Sequence, residues 1–170
     1  MQSIRLGVIF DQLVKSGGGY QQALNSALLA RDLPKDLVDV VFFTLFSENV
    51  SILSSYGIKA EVLNFSFFEK FRNRLRGYIK NKELFNLIKK IDKHSPFEKK
   101  LIDNGIDLVY FLSPISLQQC LEELNYITTL WDLCHRDELE FPEVRNNKEF
   151  ERREEFYKNT LPKATAILVD

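Results

Sequence analysis

Residues 4–33 read IRLGVIFDQLVKSGGGYQQALNSALLARDL. Ile4 to Phe10 form an apolar run of strand length, and from Tyr20 to Leu33 the apolar residues recur at helical spacing. Three consecutive glycines, Gly17–Gly19, lie between the two patterns. Such a turn lets the backbone approach a ligand and aims the free N–H groups of a helix N-terminus at it. The stretch predicts a βα unit with an anion site, with a merely flexible turn as the alternative.

The same alternation of apolar runs and helical patterns continues along the chain. Strand candidates span residues 4–10, 39–45, 58–63, 107–112, 126–130 and 165–169. This order predicts an α/β, Rossmann-like fold with a mostly parallel sheet flanked by helices on both faces. Ligands of such sheets bind beyond the C-terminal ends of the strands. We therefore expect the loops after Phe10, Leu112 and Leu130 to lie near one another at one edge.

Length and composition limit the class of protein. The 170 residues suit one domain, and a net charge of −1 does not favour nucleic acid as a partner. Cys120 and Cys134 lack paired CxxC spacing, which predicts reduced thiols of a cytoplasmic protein and no metal site. No apolar run approaches the roughly 20 residues of a membrane span.

The common nucleotide-binding fingerprints are absent from the glycine-rich turn. Gln22 stands where the dinucleotide fingerprint requires glycine or alanine, and the second predicted strand has no acidic residue at its tip. The chain also has no Gly-Lys-Ser/Thr sequence for a P-loop. These observations argue against a dehydrogenase and a P-loop NTPase.

Residues 65–100 are locally basic, with eleven lysines and arginines against four acidic residues. Aromatic residues are interleaved in the first part of this segment, which makes it amphipathic. It can lie on an anionic membrane surface or hold an acidic acceptor. Two other interpretations stay open: a solvated helix with a buried aromatic side, and, more remotely, a contact with single-stranded nucleic acid.

Reactive side chains are densest in residues 128–138, TTLWDLCHRDE. This stretch contains the end of the fifth predicted strand and the residues directly after it. Asp132, His135 and Arg136 supply a carboxylate, a proton-transfer group and an anion clamp close to a strand end. In the alternative interpretation, Asp132 and His135 cap the following loop and Arg136 pairs with a nearby acid.

Four segments carry a family resemblance. Residues 128–136 (TTLWDLCHR), 140–144 (EFPEV), 150–154 (FERRE) and 164–170 (ATAILVD) resemble the N-terminal half of family-4-type glycosyltransferases of the two-domain GT-B architecture. The glycine-rich turn fits this family in order and position. The resemblance covers essentially the whole chain and is strongest from Tyr126 onward.

This resemblance implies the retaining transfer of a sugar from a nucleotide-sugar donor, without metal or cofactor, to a saccharide or lipid-linked acceptor. Residues 1–170 would form a single acceptor-side domain that stops short of the usual family sequence. The donor-binding C-terminal domain would lie outside it, so the chain alone is expected to be inactive. The expected location is the cytoplasm, with peripheral contact at the inner face of the membrane as an open alternative.

The resemblance also assigns roles to individual residues. It implies catalytic roles for Asp132 and His135, both facing the acceptor. It implies substrate contacts for Gly17, Gly18, Gly19, Tyr20, Trp131 and Arg136. One position departs from the family: many members have histidine directly before the aspartate, where this chain has Trp131, whose ring can stack on a sugar. The competing hypothesis is a stand-alone, non-catalytic ligand-binding or regulatory module with the same fold.

Overall fold

The computed structural model describes residues 3–13, 17–78, 93–138 and 140–169. Its strands are β1 (Ile4–Phe10), β2 (Val38–Thr44), β3 (Ala60–Val62), β4 (Leu108–Phe111), β5 (Asn125–Leu130) and β6 (Ala166–Val169). Its helices are α1 (Gly17–Arg31), α2 (Glu48–Ser55), α3 (Phe67–Tyr78), α4 (Pro96–Asp103), α5 (Cys134–Asp137), α6 (Pro142–Arg145) and α7 (Glu149–Thr160). Short 3-10 turns span Ser116–Cys120, Asn146–Lys148 and Leu161–Lys163.

The six strands form one parallel sheet in the order β3-β2-β1-β4-β5-β6. The predicted α/β, Rossmann-like fold is therefore confirmed. The direction in which successive strands are added reverses between β1 and β4, where Ile9 lies opposite Phe111. In open parallel sheets this reversal opens a crevice at the carboxyl ends of the strands.

The hydrophobic core lies on both faces of the sheet. Val8 and Phe10 face α1, where they pack with Ala23 and its neighbours. Ile9, between them in sequence, points to the other face and packs with the Phe97 side of α4. Strands covered on both faces need apolar residues at successive positions, which explains the continuous apolar runs in the sequence.

The glycine-rich turn differs from its predicted conformation. Gly17–Gly19 form the first turn of α1, which the sequence pattern places only from Tyr20 onward. Gly17 has a φ of 80°, a left-handed conformation that glycine adopts without steric cost. The glycines therefore supply the helix N-terminus itself, and the connection from β1 is shorter than predicted.

Three buried polar side chains lie close to the start of α4. They are Arg76 of α3, Glu98 of α4 and Glu122 before β5, and we call them the Glu98 cluster. Oε1 of the fully buried Glu98 accepts hydrogen bonds from the backbone N–H groups of residues 122, 123 and 124, at 2.8, 2.6 and 3.0 Å. Arg76 pairs with Glu122 at 2.8 Å, and both side chains are nearly inaccessible. This cluster joins α3 and α4 to the segment that leads into β5.

Across the described part of the chain, none of the helices combines the length and the apolar composition needed to cross a membrane.

Candidate functional site

The loops after β1 and β4 meet at the carboxyl edge of the sheet. The Ser113 hydroxyl donates a short hydrogen bond to Oδ1 of Asp11, and Gln12 Nε2 donates to Oδ2 of the same carboxyl at 3.2 Å. Asp11 and Ser113 each follow a buried strand closely, and the neighbouring parallel strands bring them together although 102 residues separate them. The predicted meeting of these two loops is confirmed.

The loop after β1 is also tied to the β2 side of the edge. The buried Asn49 side chain donates from Nδ2 to the carbonyl of Gln12 at 2.8 Å and to Oγ1 of Thr44 at 3.0 Å. Since each of these partners lies on a different element, the hydrogen bonds fix where the chain leaves β1. The edge is therefore pre-organised at its centre.

The carboxyl group of Asp11 has perturbed chemistry. Burial raises its pKa, and the hydrogen bonds from Ser113 and Gln12 offset only part of this effect. A carboxyl with a raised pKa at a strand-order reversal is a functional candidate on physical grounds. Asp11 is not singled out from the sequence, because the prediction of the site rests on the glycines and on residues 128–138. The available signal was a polar residue directly after a buried strand.

The glycine-rich turn and the loop after β5 meet at Trp131. A Cβ atom at Gly19 would lie 2.7 Å from Cζ3 and 2.8 Å from Cη2 of the indole, closer than real Cβ atoms approach. A Cβ at Gly17 or Gly18 would meet no atom of the described residues within 4 Å. The absent side chain at Gly19 thus lets α1 pack against the indole, while the described neighbours leave space at Gly17 and Gly18.

Tyr20 lies at the base of the same turn. Its ring is partly buried and meets the ring of Phe10 edge-on, with centroids 6.3 Å apart and planes at 70°. This contact anchors the start of α1 on the end of β1. The structure shows an anchoring role, and the predicted substrate contact of Tyr20 stays a prediction.

Asp132 lies at the edge with a half-exposed carboxylate. Its Oδ1 accepts a hydrogen bond from the backbone N–H of Cys134 at 3.0 Å, which closes the turn of the chain just before α5. Arg153 approaches Oδ1 at 3.9 Å. The capping interpretation is confirmed for Asp132, and its second oxygen and exposure still leave it accessible to a ligand.

His135 is placed behind the edge. Its side chain has no solvent exposure, and its ring contacts the rings of Phe150 and Tyr157, each with a centroid distance of 5.7 Å. Nε2 lies 2.8 Å from Oε1 of Glu154. The structure therefore does not bring His135 to the surface beside Asp132. Its catalytic role stays a prediction, and its surroundings fit a positioning residue.

Arg136 binds the same acid as His135. Its guanidinium holds both oxygens of Glu154, at 2.6 and 2.8 Å. Arg136 foremost, and then His135, lower the pKa of Glu154 to about 2. The interpretation that Arg136 pairs with a nearby acid is confirmed, so a substrate anion would have to compete with Glu154 for it.

Two other features bear on what the protein can bind. Within residues 3–13, 17–78, 93–138 and 140–169, no group of three or more histidine, cysteine or acidic side chains could hold a metal ion. A shallow groove of about 320 Å³ lies between β3 and α4, away from the strand-order reversal, and its lining includes Glu61, Asn64, Lys100 and Asp103.

No protein-family model matches the chain, and no curated protein matches its sequence significantly.

Proposed function

We propose that the carboxyl edge of the sheet binds the substrates of a glycosyl transfer, and that this chain is the acceptor-binding portion of a retaining glycosyltransferase. A sugar would pass from a nucleotide-sugar donor to a saccharide or lipid-linked acceptor. The observation that carries the proposal is the contact of Gly19 with Trp131. It places an open helix N-terminus beside an aromatic ring and a half-exposed carboxylate.

The N-terminus of α1 suits the donor diphosphate. Free N–H groups and the positive end of the helix dipole favour an anion there. No acidic residue stands in the first turn of α1 to repel one, and no described residue lies within 4 Å of where a Cβ of Gly17 or Gly18 would be. The glycines themselves present no side chain, so a phosphate group would meet their backbone directly.

Trp131 and Asp132 suit a sugar. An indole face packs against the apolar face of a pyranose, and a carboxylate accepts hydrogen bonds from its hydroxyl groups. Asp132 would orient the attacking acceptor hydroxyl and stabilise positive charge as the donor bond breaks. His135 would act from behind, by fixing Glu154 and the segment that carries Asp132.

The burial of His135 favours a second candidate, the non-catalytic ligand-binding module. The imidazole of His135 is enclosed, so Asp132 is the member of the predicted catalytic pair that a ligand can reach. An assay of labelled sugar transfer distinguishes the candidates when the chain is supplied with a donor-binding domain: transfer supports the enzyme, and binding without transfer supports the module. Transfer by the 170 residues alone would contradict both.

The single tryptophan gives the binding proposal a direct assay. Titration with UDP-glucose, GDP-mannose or pyrophosphate should change the fluorescence of Trp131 saturably. Gly18→Val fills the open space and should weaken this binding at least about tenfold with little change in thermal unfolding. Asn25→Val, on an exposed position further along α1, is the matched control. No response to any probe, or equal binding by both variants, would contradict the proposal.

A further inference from the structure

Helix α3 carries an exposed apolar stripe. Phe67, Phe71 and Leu75 are 87%, 55% and 41% exposed, and Phe68 beside them is 68% exposed. Residues four apart on a helix lie on the same side, so these four side chains form one continuous surface. We call it the α3 stripe.

The opposite side of α3 faces the protein and is polar. Oδ1 of the buried Asn73 accepts a hydrogen bond from the backbone N–H of Phe97 at 3.2 Å. The buried Arg76 forms the ion pair of the Glu98 cluster with Glu122. A surface helix normally turns its apolar side inward, and α3 does the reverse. The interpretation that its aromatic side is buried is therefore wrong for these residues.

Basic side chains border the α3 stripe. Lys70 and Arg74 are exposed and four residues apart, on the flank between the stripe and the inward side. The acidic residue of this helix, Glu69, lies within 3.3 Å of Lys100 and accepts a hydrogen bond from the backbone N–H of Ser66. The surface around the stripe is therefore apolar at its centre and positive on this flank.

We propose that the α3 stripe docks onto the surface of an anionic lipid bilayer. The phenylalanines would enter the boundary between head groups and acyl chains, while Lys70 and Arg74 would contact anionic head groups. The positive flank is the feature that selects this occupant over a neutral apolar partner. The inference stands independently of the proposed sugar transfer.

The location of α3 adds a consequence that does rest on the proposed function. The helix begins shortly after the carboxyl end of β3, so its N-terminal end lies at the same edge of the sheet as Asp11 and Trp131. Docking of the stripe would hold this edge near the bilayer. That placement suits an acceptor whose saccharide is attached to a lipid.

Vesicle flotation tests the docking. The full chain should float with vesicles of phosphatidylcholine and phosphatidylglycerol at low salt, less at high salt, and little with phosphatidylcholine alone. Two double variants should each reduce vesicle binding at least about tenfold. Phe68→Ser/Phe71→Ser removes apolar area that the bilayer would bury, and Lys70→Glu/Arg74→Glu reverses two positive charges.

Matched controls lie elsewhere on the surface. Leu29→Ser removes an apolar residue of α1 that is 75% exposed, and Lys158→Glu/Lys163→Glu reverses two exposed charges. Both controls should bind vesicles as the wild type does, and circular dichroism should show every variant folded.

Three results would overturn the docking. One is no flotation of the wild type with anionic vesicles at low salt, whether or not it binds polyuridylate or heparin instead. Another is equal binding by the α3 variants and the controls. The third is a lower thermal stability of Phe68→Ser/Phe71→Ser than of the wild type together with no vesicle binding by either, which would mean that the stripe packs against protein and not against lipid.

Discussion

The molecule contains two acidic groups in contrasting polar surroundings, Glu98 beneath the sheet and Asp11 at its carboxyl edge. One oxygen of Glu98 accepts three backbone N–H groups from a single segment. Asp11 is held by two side chains, from Ser113 and Gln12, and burial raises its pKa. The first arrangement fixes a chain segment in place, whereas the second holds a titratable group at the position where such folds bind ligands.

The different hydrogen-bond partners of Glu98 and Asp11 suggest different roles, one in stability and one in ligand binding. A carboxylate that accepts several backbone N–H groups holds that chain segment in place, and its loss leaves those donors unsatisfied. Asp11 is held mainly by side chains, which can reorient when its carboxyl is replaced, so the fold should depend less on this group. Substitutions at the two places should accordingly separate stability from binding.

The largest effect is expected for Glu98→Ala. Three part-buried backbone N–H groups would lose their charged acceptor, which should lower the free energy of unfolding by about 3–5 kcal/mol. Urea unfolding followed by circular dichroism measures this. Glu98→Gln keeps one carbonyl acceptor and should lose less, and Glu151→Ala, exposed on α7, is the neutral control. A loss below about 1 kcal/mol for Glu98→Ala would refute the structural role.

Gly19→Ala should come next. Its Cβ would overlap the Trp131 ring, and relieving that overlap should cost about 1–3 kcal/mol and shift the emission of the single tryptophan. Gly18→Ala has open space and should change stability by less than about 1 kcal/mol. In Gly19→Ala/Trp131→Leu most of the loss should be recovered. Equal effects of the two glycine variants would disprove the contact.

The pH dependence of Asp11 has a defined sign. Its folded pKa is raised, so the folded state binds this proton more tightly than the unfolded state. Stability should therefore fall as the pH rises from the ordinary value of 3.8 through the folded pKa. Asp11→Asn should remove this fall and slightly stabilise the protein at neutral pH. Thermal unfolding across pH tests it, with the exposed Asp36→Asn as control, and an unchanged profile in Asp11→Asn would reject the assignment.

Glu154 should give the smallest effect, with the opposite sign. Arg136 and His135 lower its pKa to about 2, so its contribution is present above the ordinary value of 4.5 and is lost as the pH falls from 4.5 to about 2. Glu154→Gln should reduce the acid-induced loss of stability, while Glu151→Gln on the same helix should leave it unchanged. If both variants retained the wild-type acid limb, the pairing at Glu154 would carry no pH-dependent stability.

The sequence predicts the sheet well because its central strands, β1 and β4, are largely buried on both faces. β1 from Leu6 onward and β4 are continuous runs without charged residues, and this pattern needs no knowledge of distant contacts. The loops after β1 and β4 are expected to meet because parallel strands have their carboxyl ends at the same edge of the sheet. The helical state of Gly17–Gly19 does not follow, because glycine has low intrinsic helix propensity and tertiary packing on Trp131 overrides it.

The surroundings of some residues could not be predicted from the sequence because they depend on contacts between distant segments. His135 is buried by Phe150 and Tyr157, and its own neighbours give no sign of this. The spacing of aromatic residues in α3 defines an apolar side but not whether it faces the protein or the solvent. In that helix the inward side is fixed by Asn73 and Arg76, whose partners come from other elements.

The central claim is that the carboxyl edge, where strand order reverses, is the ligand site. It is tested most directly by mapping ¹⁵N–¹H chemical shifts during titration of the chain with UDP-glucose. The account predicts saturable changes at residues 11–13, 17–20, 113 and 131–132, and none in α4. Changes confined to the groove between β3 and α4, or no changes at all, would contradict it.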